Sequence, residues 1–322
     1  MPEIPEIETY VYHLNRLAAG KTIRQAEVTR PKTINLLPEE FAAEVIGSRL
    51  TQARRRAKVL VLNLDRGTSL LCHLMLDGYV VWLFPGETPR TTPQVLLTFG
   101  TGEALGFCRF QLGYVHLALG HDPAAMPDLQ DIGPEPLGPD FTAERLASIL
   151  QGRRTVLKTL LLDQHLIAGI GGSYSDEILF AAGLRPDRPA GGLDAGETAR
   201  LHQAIQGVLQ RAIALGGAMD QPFFTGDAFS NGQYPRYAVY GREGQPCLRC
   251  GATLRMTVLG GRKSRFCPVC QDLRPAAGLL PESVWFGKES GLPAAKPPPG
   301  GSNFDDGKHA ARPDGYSGLG GA

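Results

Sequence analysis

The first residues of the chain, MPEIPEIETY, carry the densest chemistry in it. Proline is small enough at position 2 for Met1 to be clipped, which leaves Pro2 as a secondary amine at the true N-terminus. An α-amino group titrates at about pH 8, far below a lysine, so a useful fraction is an uncharged nucleophile at neutral pH. Attack by that amine on a sugar aldehyde carbon gives an iminium ion, and Glu3 is adjacent by construction to move protons. The start of a following helix adds positive potential that disfavours the ammonium form further. The same stretch also reads as a plain helix entrance, with Pro5 in the first turn and acids near the dipole.

A second constellation lies near the other end. Cys247 and Cys250 form the knuckle CLRC, and Cys267 and Cys270 form CPVC sixteen residues further on. Four thiolates delivered in pairs from two tight turns are what one structural Zn²⁺ needs, with the intervening residues as a hairpin. Thr257–Leu259 and Arg265–Phe266 are its expected arms and Gly260–Gly261 its turn, placing Arg262 and Lys263 at the tip. Cys72 and Cys108 stand alone in apolar runs, so the cysteine pattern points to a metal rather than to disulfides.

Between these ends lies AGIGGSY at 168–174, readable either as a phosphate cradle at a helix start or as a tight helix connection. Arg153, Arg154 and Lys158 lie just upstream, and the pattern resembles helix-turn-helix DNA-binding devices. The net charge is only +1, yet Gly241 to Arg274 holds seven Lys or Arg against two acids, and ARRRAK at 53–58 is a second basic cluster. Both are expected to line a phosphate track.

The elements that must position these residues follow from periodicity. A helix over 5–19 has Ile7, Val11, Leu14 and Ala18 on one face, with Gly20 as its stop. From Thr22 to Leu119 short apolar runs such as KVLVLNLD and YVVWLF alternate with turn signals and read as a sheet-rich domain. GPEPLGPD at 133–140 is a Pro/Gly-dense joint, after which helical periodicity holds to about Leu215. Ser173 with Asp176 three residues on reads as a capping box, and Gly183 then Pro186 close that helix. GDAFSNGQYPRY at 226–237 suits a mobile loop. With 43% hydrophobic and 20% charged residues the chain as a whole is foldable, not disordered. No apolar stretch reaches the roughly 18 residues that span a bilayer, and the acidic start broken by Pro5 is unlike an export signal, so a cytoplasmic location is expected, on the nucleoid in a bacterium.

Taken in order, MPEIPEIE, RRRAKVLVL, GIGGSYSDEILFAAGLRPDR and YGREGQPCLRC…GRKSRFCPVCQ resemble the formamidopyrimidine-DNA glycosylases and the related endonuclease VIII enzymes over about residues 1–271. The resemblance implies an α+β multidomain protein: an N-terminal catalytic β-sandwich (1–132), a helical helix–two-turn–helix DNA-binding domain (133–237) and a zinc finger (238–272), followed by a disordered tail (286–322). It implies Pro2 as the nucleophile at C1′, Glu3 as its acid/base partner, Lys58 as a lysine that binds phosphate and promotes strand elimination, and Arg262 as the hairpin arginine gripping phosphate. Glu6, Leu76, Gln111, Leu112, Arg154, Gly172 and Lys263 are the further expected DNA contacts. The implied partner is damaged double-stranded DNA, bound by a monomer.

Departures from the family pattern bear on specificity. Leu76 stands where an intercalating methionine is usual, and Phe110, Gln111, Leu112 and Gly113 stand where the family reads Arg-Arg-Phe-Gly, so the arginine for the orphan cytosine is missing. Gly172 replaces a phosphate-binding asparagine, and TTPQVLLTF lacks the usual histidine. The first expectation is therefore a bifunctional glycosylase and AP lyase for oxidised purines and ring-opened formamidopyrimidines. The alternatives are the same chemistry on oxidised pyrimidines, or a noncatalytic zinc-ribbon DNA-binding protein, which would have no need of an N-terminal amine.

Overall fold

The computed structural model describes residues 1–122, 126, 129–219, 221–230 and 237–271. The tail expected over 286–322 lies outside the described residues, as do residues 231–236 of the loop expected to be mobile.

Helix α1 (Ile4–Leu17) precedes two four-stranded antiparallel sheets. One has the order β1 (Ile23–Val28), β6 (Val95–Phe99), β7 (Ala104–Cys108), β5 (Tyr79–Leu83), and the other the order β2 (Leu50–Arg56), β3 (Val59–Leu64), β4 (Thr68–His73), β8 (Tyr114–Leu119). The runs legible as strands pair as antiparallel neighbours, and their inward residues, among them Leu60, Leu62, Leu70, Trp82, Leu97 and Phe107, form one core that α1 and α2 (Pro38–Val45) help to cover. Ile7, Leu14 and Ala18 of α1 are fully buried in it, and Val11 packs at its margin, as the periodicity predicts.

The second core belongs to α3 (Ala143–Leu150), α4 (Leu157–Leu162), α5 (Gly172–Ala182) and α6 (Ala195–Ala214). Ile4 is part of this core, whereas Ile7, Tyr10, Leu14 and Ala18 of the same helix belong to the first. The first turn of α1 therefore joins the two cores, and it is held from both sides. The turn before α5 accepts it closely: Gly169 adopts φ +77°, and a Cβ there would lie 2.3 Å from Ile4 Cγ1. No larger residue fits that contact without moving the first turn of α1.

Within the basic cluster expected at 53–58 to line a phosphate track, two arginines are committed to protein instead. Arg55 and Arg56 do not face a phosphate track. Arg55 is buried and donates to Glu8 at 2.8 Å and Glu135 at 2.6 Å, while Arg56 donates to Glu135 at 2.9 Å and to the carbonyls of Ile132 and Gly133. Glu135 also accepts the N–H of Ala57, at 2.7 Å. The two arginines thus fasten the β2–β3 turn to the Pro/Gly-dense joint. Ala57 in that turn is left-handed at φ 51°, a conformation that costs an L-residue about 1–2 kcal/mol, and Lys58 follows it.

A hairpin of β9 (Arg255–Leu259) and β10 (Arg262–Phe266) completes the described chain. Leu259 pairs with Arg262, and Gly260 and Gly261 between them have φ 54° and 74°, as a two-residue I′-like turn demands. Arg262 and Lys263 are exposed beside this turn, as expected.

Candidate active site

Pro2 is half-buried at the mouth of a cleft lined by Glu3, Glu6, Leu76, Asp77, Tyr79, Arg109, Tyr174, Met219, Gln221 and Tyr237, with exposed Met1 at its rim. Glu3 is the N-cap residue of α1, and its own N–H is held by Glu6 at 2.8 Å. Its carboxylate reaches to the N-terminus of α5, where it accepts the N–H of Gly171 at 2.5 Å and of Ser173 at 2.9 Å. Those are the unpaired donors that the glycine-rich turn was expected to offer a phosphate. The backbone of the turn is therefore partly occupied by an internal anion, and a Cβ on Gly171 would fall 2.5 Å from Glu3 Cδ. Gly172, whose Cβ position is open, lies exposed at the first position of α5.

Burial pushes the Glu3 carboxyl above the ordinary carboxylate range, against the opposing pull of Lys58 and of the two N–H donors. Lys58 is pushed the other way: burial lowers it first, Glu3 restores part of that, and Arg262 lowers it further. Among the described residues no hydrogen bond or ion pair ties up its ammonium. Lys58 therefore lies within electrostatic reach of both Glu3 and the hairpin Arg262. Glu6 is committed to protein: it accepts from Glu3 N–H at 2.8 Å, Tyr174 O–H at 2.7 Å and Ala218 N–H at 2.6 Å, bracing the cleft floor.

The capping box expected from Ser173 and Asp176 is absent, because Glu3 already caps α5 from 170 residues away. Asp176 is fully buried and does other work. It accepts from Lys158 Nζ at 2.6 Å, Ser264 Oγ at 2.8 Å and the N–H of Arg265 at 3.0 Å. Lys158, grouped in the sequence with a phosphate-binding stretch, is fully buried too and spends its remaining protons on Gly172 O and Ser175 Oγ. Its neighbour Glu177 accepts three consecutive N–H groups, of Ala238, Val239 and Tyr240, and burial raises its carboxyl to about 7. Two adjacent acids of α5 therefore hold the hairpin and the segment at 238–240 that leads toward it. Arg154 is exposed, away from this network.

The four cysteine sulfurs lie within 4.8 Å of one another, with Cys247–Cys270 at 3.9 Å and Cys250–Cys267 at 3.5 Å. A tetrahedral zinc with bonds of about 2.3 Å requires sulfur–sulfur edges of about 3.8 Å, so the donor set fits one structural Zn²⁺. Backbone N–H groups of Arg249 and Cys270 point at Sγ of Cys247 and Cys267 within the knuckles.

Leu76 and Leu112 are 60% and 67% exposed on two loops that touch: a Cβ on Gly113 would sit 2.5 Å from the carbonyl of His73. Each loop has one left-handed non-glycine residue, Met75 at φ 54° and Arg109 at φ 58°. Strain of this kind is sustained where surrounding structure enforces it, often at binding sites. Gln111 is exposed between Arg109 and Leu112. Phe110 is fully buried, its N–H bound by Gln94 and its carbonyl by Arg30, so it anchors the loop. Two residues escaped the sequence reading, His73 and the cleft-lining Arg109. His73, at the end of β4, is held near 4 by burial and then by Lys58, so it is neutral at physiological pH; its place in HLML at a strand end was the available signal. Arg109 gave none.

A β-sandwich whose first helix is docked by an acidic side chain onto a helix–two-turn–helix, with a four-cysteine hairpin fastened to the same helix α5, defines the two-domain, zinc-hairpin class of DNA glycosylases. Residues 1–111 match the family described as Formamidopyrimidine-DNA glycosylase N-terminal domain, 132–222 its H2TH domain, and 244–273 the zinc finger found in FPG and IleRS. The chain is 39% identical to the formamidopyrimidine-DNA glycosylase of Chloroflexus aurantiacus over 273 residues, covering 84% of this chain and 98% of that protein. That of Moorella thermoacetica is 40% identical over 256 residues, covering 79% and 93%. In structure the chain is similar to the MutM (Fpg) protein of Thermus thermophilus, with a TM-score of 0.73 and 35% identity over 85% of this chain and 100% of that one. It is similar as well to Lactococcus lactis Fpg bound to DNA containing an abasic site, with a TM-score of 0.75 and 28% identity over 84% and 99%. The chain belongs to the formamidopyrimidine-DNA glycosylase family. Among the described residues no helix is long and apolar enough to cross a membrane.

Proposed function

We propose that this chain is a bifunctional DNA glycosylase and AP lyase that removes oxidised purines and formamidopyrimidines from double-stranded DNA. The observation that carries the reading is Glu3: a buried carboxyl, raised by its burial, one residue from the N-terminal amine and under the influence of Lys58. With Met1 removed, the amine of Pro2 attacks C1′ as the glycosidic bond breaks. Glu3 hands a proton to the sugar ring oxygen as the ring opens to the iminium. Loss of the C2′ proton then drives elimination of the flanking phosphates, giving β,δ-elimination. Lys58 and Arg262, with Lys263, Arg154 and the exposed N-terminus of α5 at Gly172, bind the backbone. Leu76 and Leu112 fill the stack left by the extruded nucleotide, whose removal from the duplex costs a few kcal/mol, and Gln111 lies at the opposite strand. The zinc braces the hairpin that presents Arg262. We divide the chain at 1–132, 133–237 and 238–272, and place it in the cytoplasm, on the nucleoid in a bacterium, acting as a monomer.

A panel of duplexes carrying oxidised purines, formamidopyrimidines or oxidised pyrimidines opposite each normal base tests this reading. Fastest release of a purine-derived lesion, with strand cleavage and borohydride trapping, supports it. Release confined to pyrimidine lesions, or no trapping at all on abasic DNA, overturns it.

If Lys58 and Arg262 contact phosphate, Lys58→Ala and Arg262→Ala should each weaken binding across all sequences and flatten the slope of log K against log[salt] by about one unit. An unchanged slope removes the residue from the DNA path.

A further inference from the structure

We propose that Arg109 is a specificity-determining residue that hydrogen-bonds the carbonyl edge of the extruded base, favouring guanine-derived lesions over their adenine-derived counterparts. The inference rests on the functional reading above and goes beyond it by naming what the base pocket selects.

Three observations converge on this arginine. It lines the same cleft as Pro2 and Glu3 and is itself exposed. A base attached to the C1′ that Pro2 attacks has to lie in that cleft, since the glycosidic bond places the ring within a few ångströms of the nucleophile. Among the described residues the guanidinium has no ion pair or side-chain hydrogen bond, so its donors are available to a ligand. Finally, its backbone is fixed in an unfavourable conformation. Arg109 has φ 58°, its carbonyl accepts the N–H of Gln111 at 2.8 Å, and the next residue, Phe110, is buried with both backbone groups tied to Gln94 and Arg30. The fold thus bears the cost of a left-handed arginine, and the anchored neighbour carries that side chain into the cleft.

The chemistry follows from the donor set. A guanidinium offers only donors, in a planar fork. The six-position carbonyl of a guanine-derived lesion, with the formyl or eight-position oxygen of its damaged part, presents acceptors. An adenine-derived formamidopyrimidine presents an amino donor at the six position, which faces the guanidinium donor to donor. A buried mismatch of that kind is costly because neither group is then satisfied. Asp77 and Gln221, which line the same cleft, offer the acceptors that the amino and N–H groups of a guanine-type base need.

The test uses Arg109→Asn, since asparagine tolerates the left-handed region, and Arg109→Lys, which keeps the charge and loses the fork. Single-turnover base release is measured on guanine-derived and adenine-derived formamidopyrimidine opposite the same base, alongside strand cleavage of DNA with a preformed abasic site. For Arg109→Asn the preference for the guanine-derived lesion is expected to fall at least tenfold, with Arg109→Lys intermediate, while abasic cleavage falls less than threefold because no base is present to be read. An equal loss on all three substrates makes Arg109 a backbone contact and overturns the proposal. So does a change that depends on the base opposite the lesion and not on the lesion itself, or no change in preference. Failure of the parent protein to cleave abasic DNA would count against the proposed function instead, which keeps the two readings separable.

Discussion

Glu3→Gln is expected to slow base release and abasic-site cleavage by about 10²–10⁴-fold, the span that a general acid or base typically supplies, while DNA affinity stays within a few-fold. The amide keeps the shape of the side chain but has no proton to give. It also caps α5 less well, because its NH₂ cannot accept from Gly171 or Ser173 as a carboxylate oxygen does, and a buried donor left unsatisfied costs about 1–3 kcal/mol. The effects separate by pH. The folded Glu3 carboxyl sits above its ordinary value of 4.5, so the folded state holds this proton more tightly than the unfolded one. The stability that comes from that proton is present at low pH and is lost as pH rises from 4.5 through the folded value. The wild-type protein should therefore lose stability over that window relative to Glu3→Gln, which cannot ionise. Single-turnover rates within threefold of the parent would reduce Glu3 to a helix cap.

The largest stability loss is expected from Asp176→Ala. This carboxylate and Lys158 are both fully buried, and burial presses each toward its neutral form, yet every oxygen and proton of the pair is matched. Removing one partner of such a pair typically costs about 3–5 kcal/mol, since it strands the other. Here it also releases Ser264 and the N–H of Arg265, which fasten β10 to α5. Urea unfolding of the zinc-loaded protein should show the loss, and DNA binding should weaken because Arg262 is carried on the loosened hairpin. Lys158→Met combined with Asp176→Leu should recover a substantial part of the stability, as pairs replaced by apolar groups often do. A loss below 1 kcal/mol, or strictly additive effects, would contradict the assignment.

What could be read from the residues, and what could not, divides along sequence distance. The hairpin was legible because its ligands, arms and glycine turn lie within 24 residues, Cys247 to Cys270. Helix α1 and the strands were legible through local periodicity. The errors all concern groups whose partners are remote. Arg55 and Arg56 form a basic run in sequence, but Glu135 lies 80 and 79 residues away. Ser173 and Asp176 have capping-box spacing, but Glu3 takes the cap and β10 takes the aspartate. Lys158 looks like a phosphate ligand until Asp176 is placed against it. Charge in a sequence does not reveal whether it will meet water or a buried counter-charge, and that distinction decided each of these residues.

The central claim concerns which atom bonds to the sugar. The protein is incubated with abasic duplex, reduced with borohydride, digested with protease and nuclease, and the modified peptide is sequenced by mass spectrometry. The account predicts a deoxyribose-derived mass on the nitrogen of Pro2, in a peptide that begins PEIPEIETY without Met1. An adduct on a lysine side chain, or trapping by protein that still carries Met1, would contradict it.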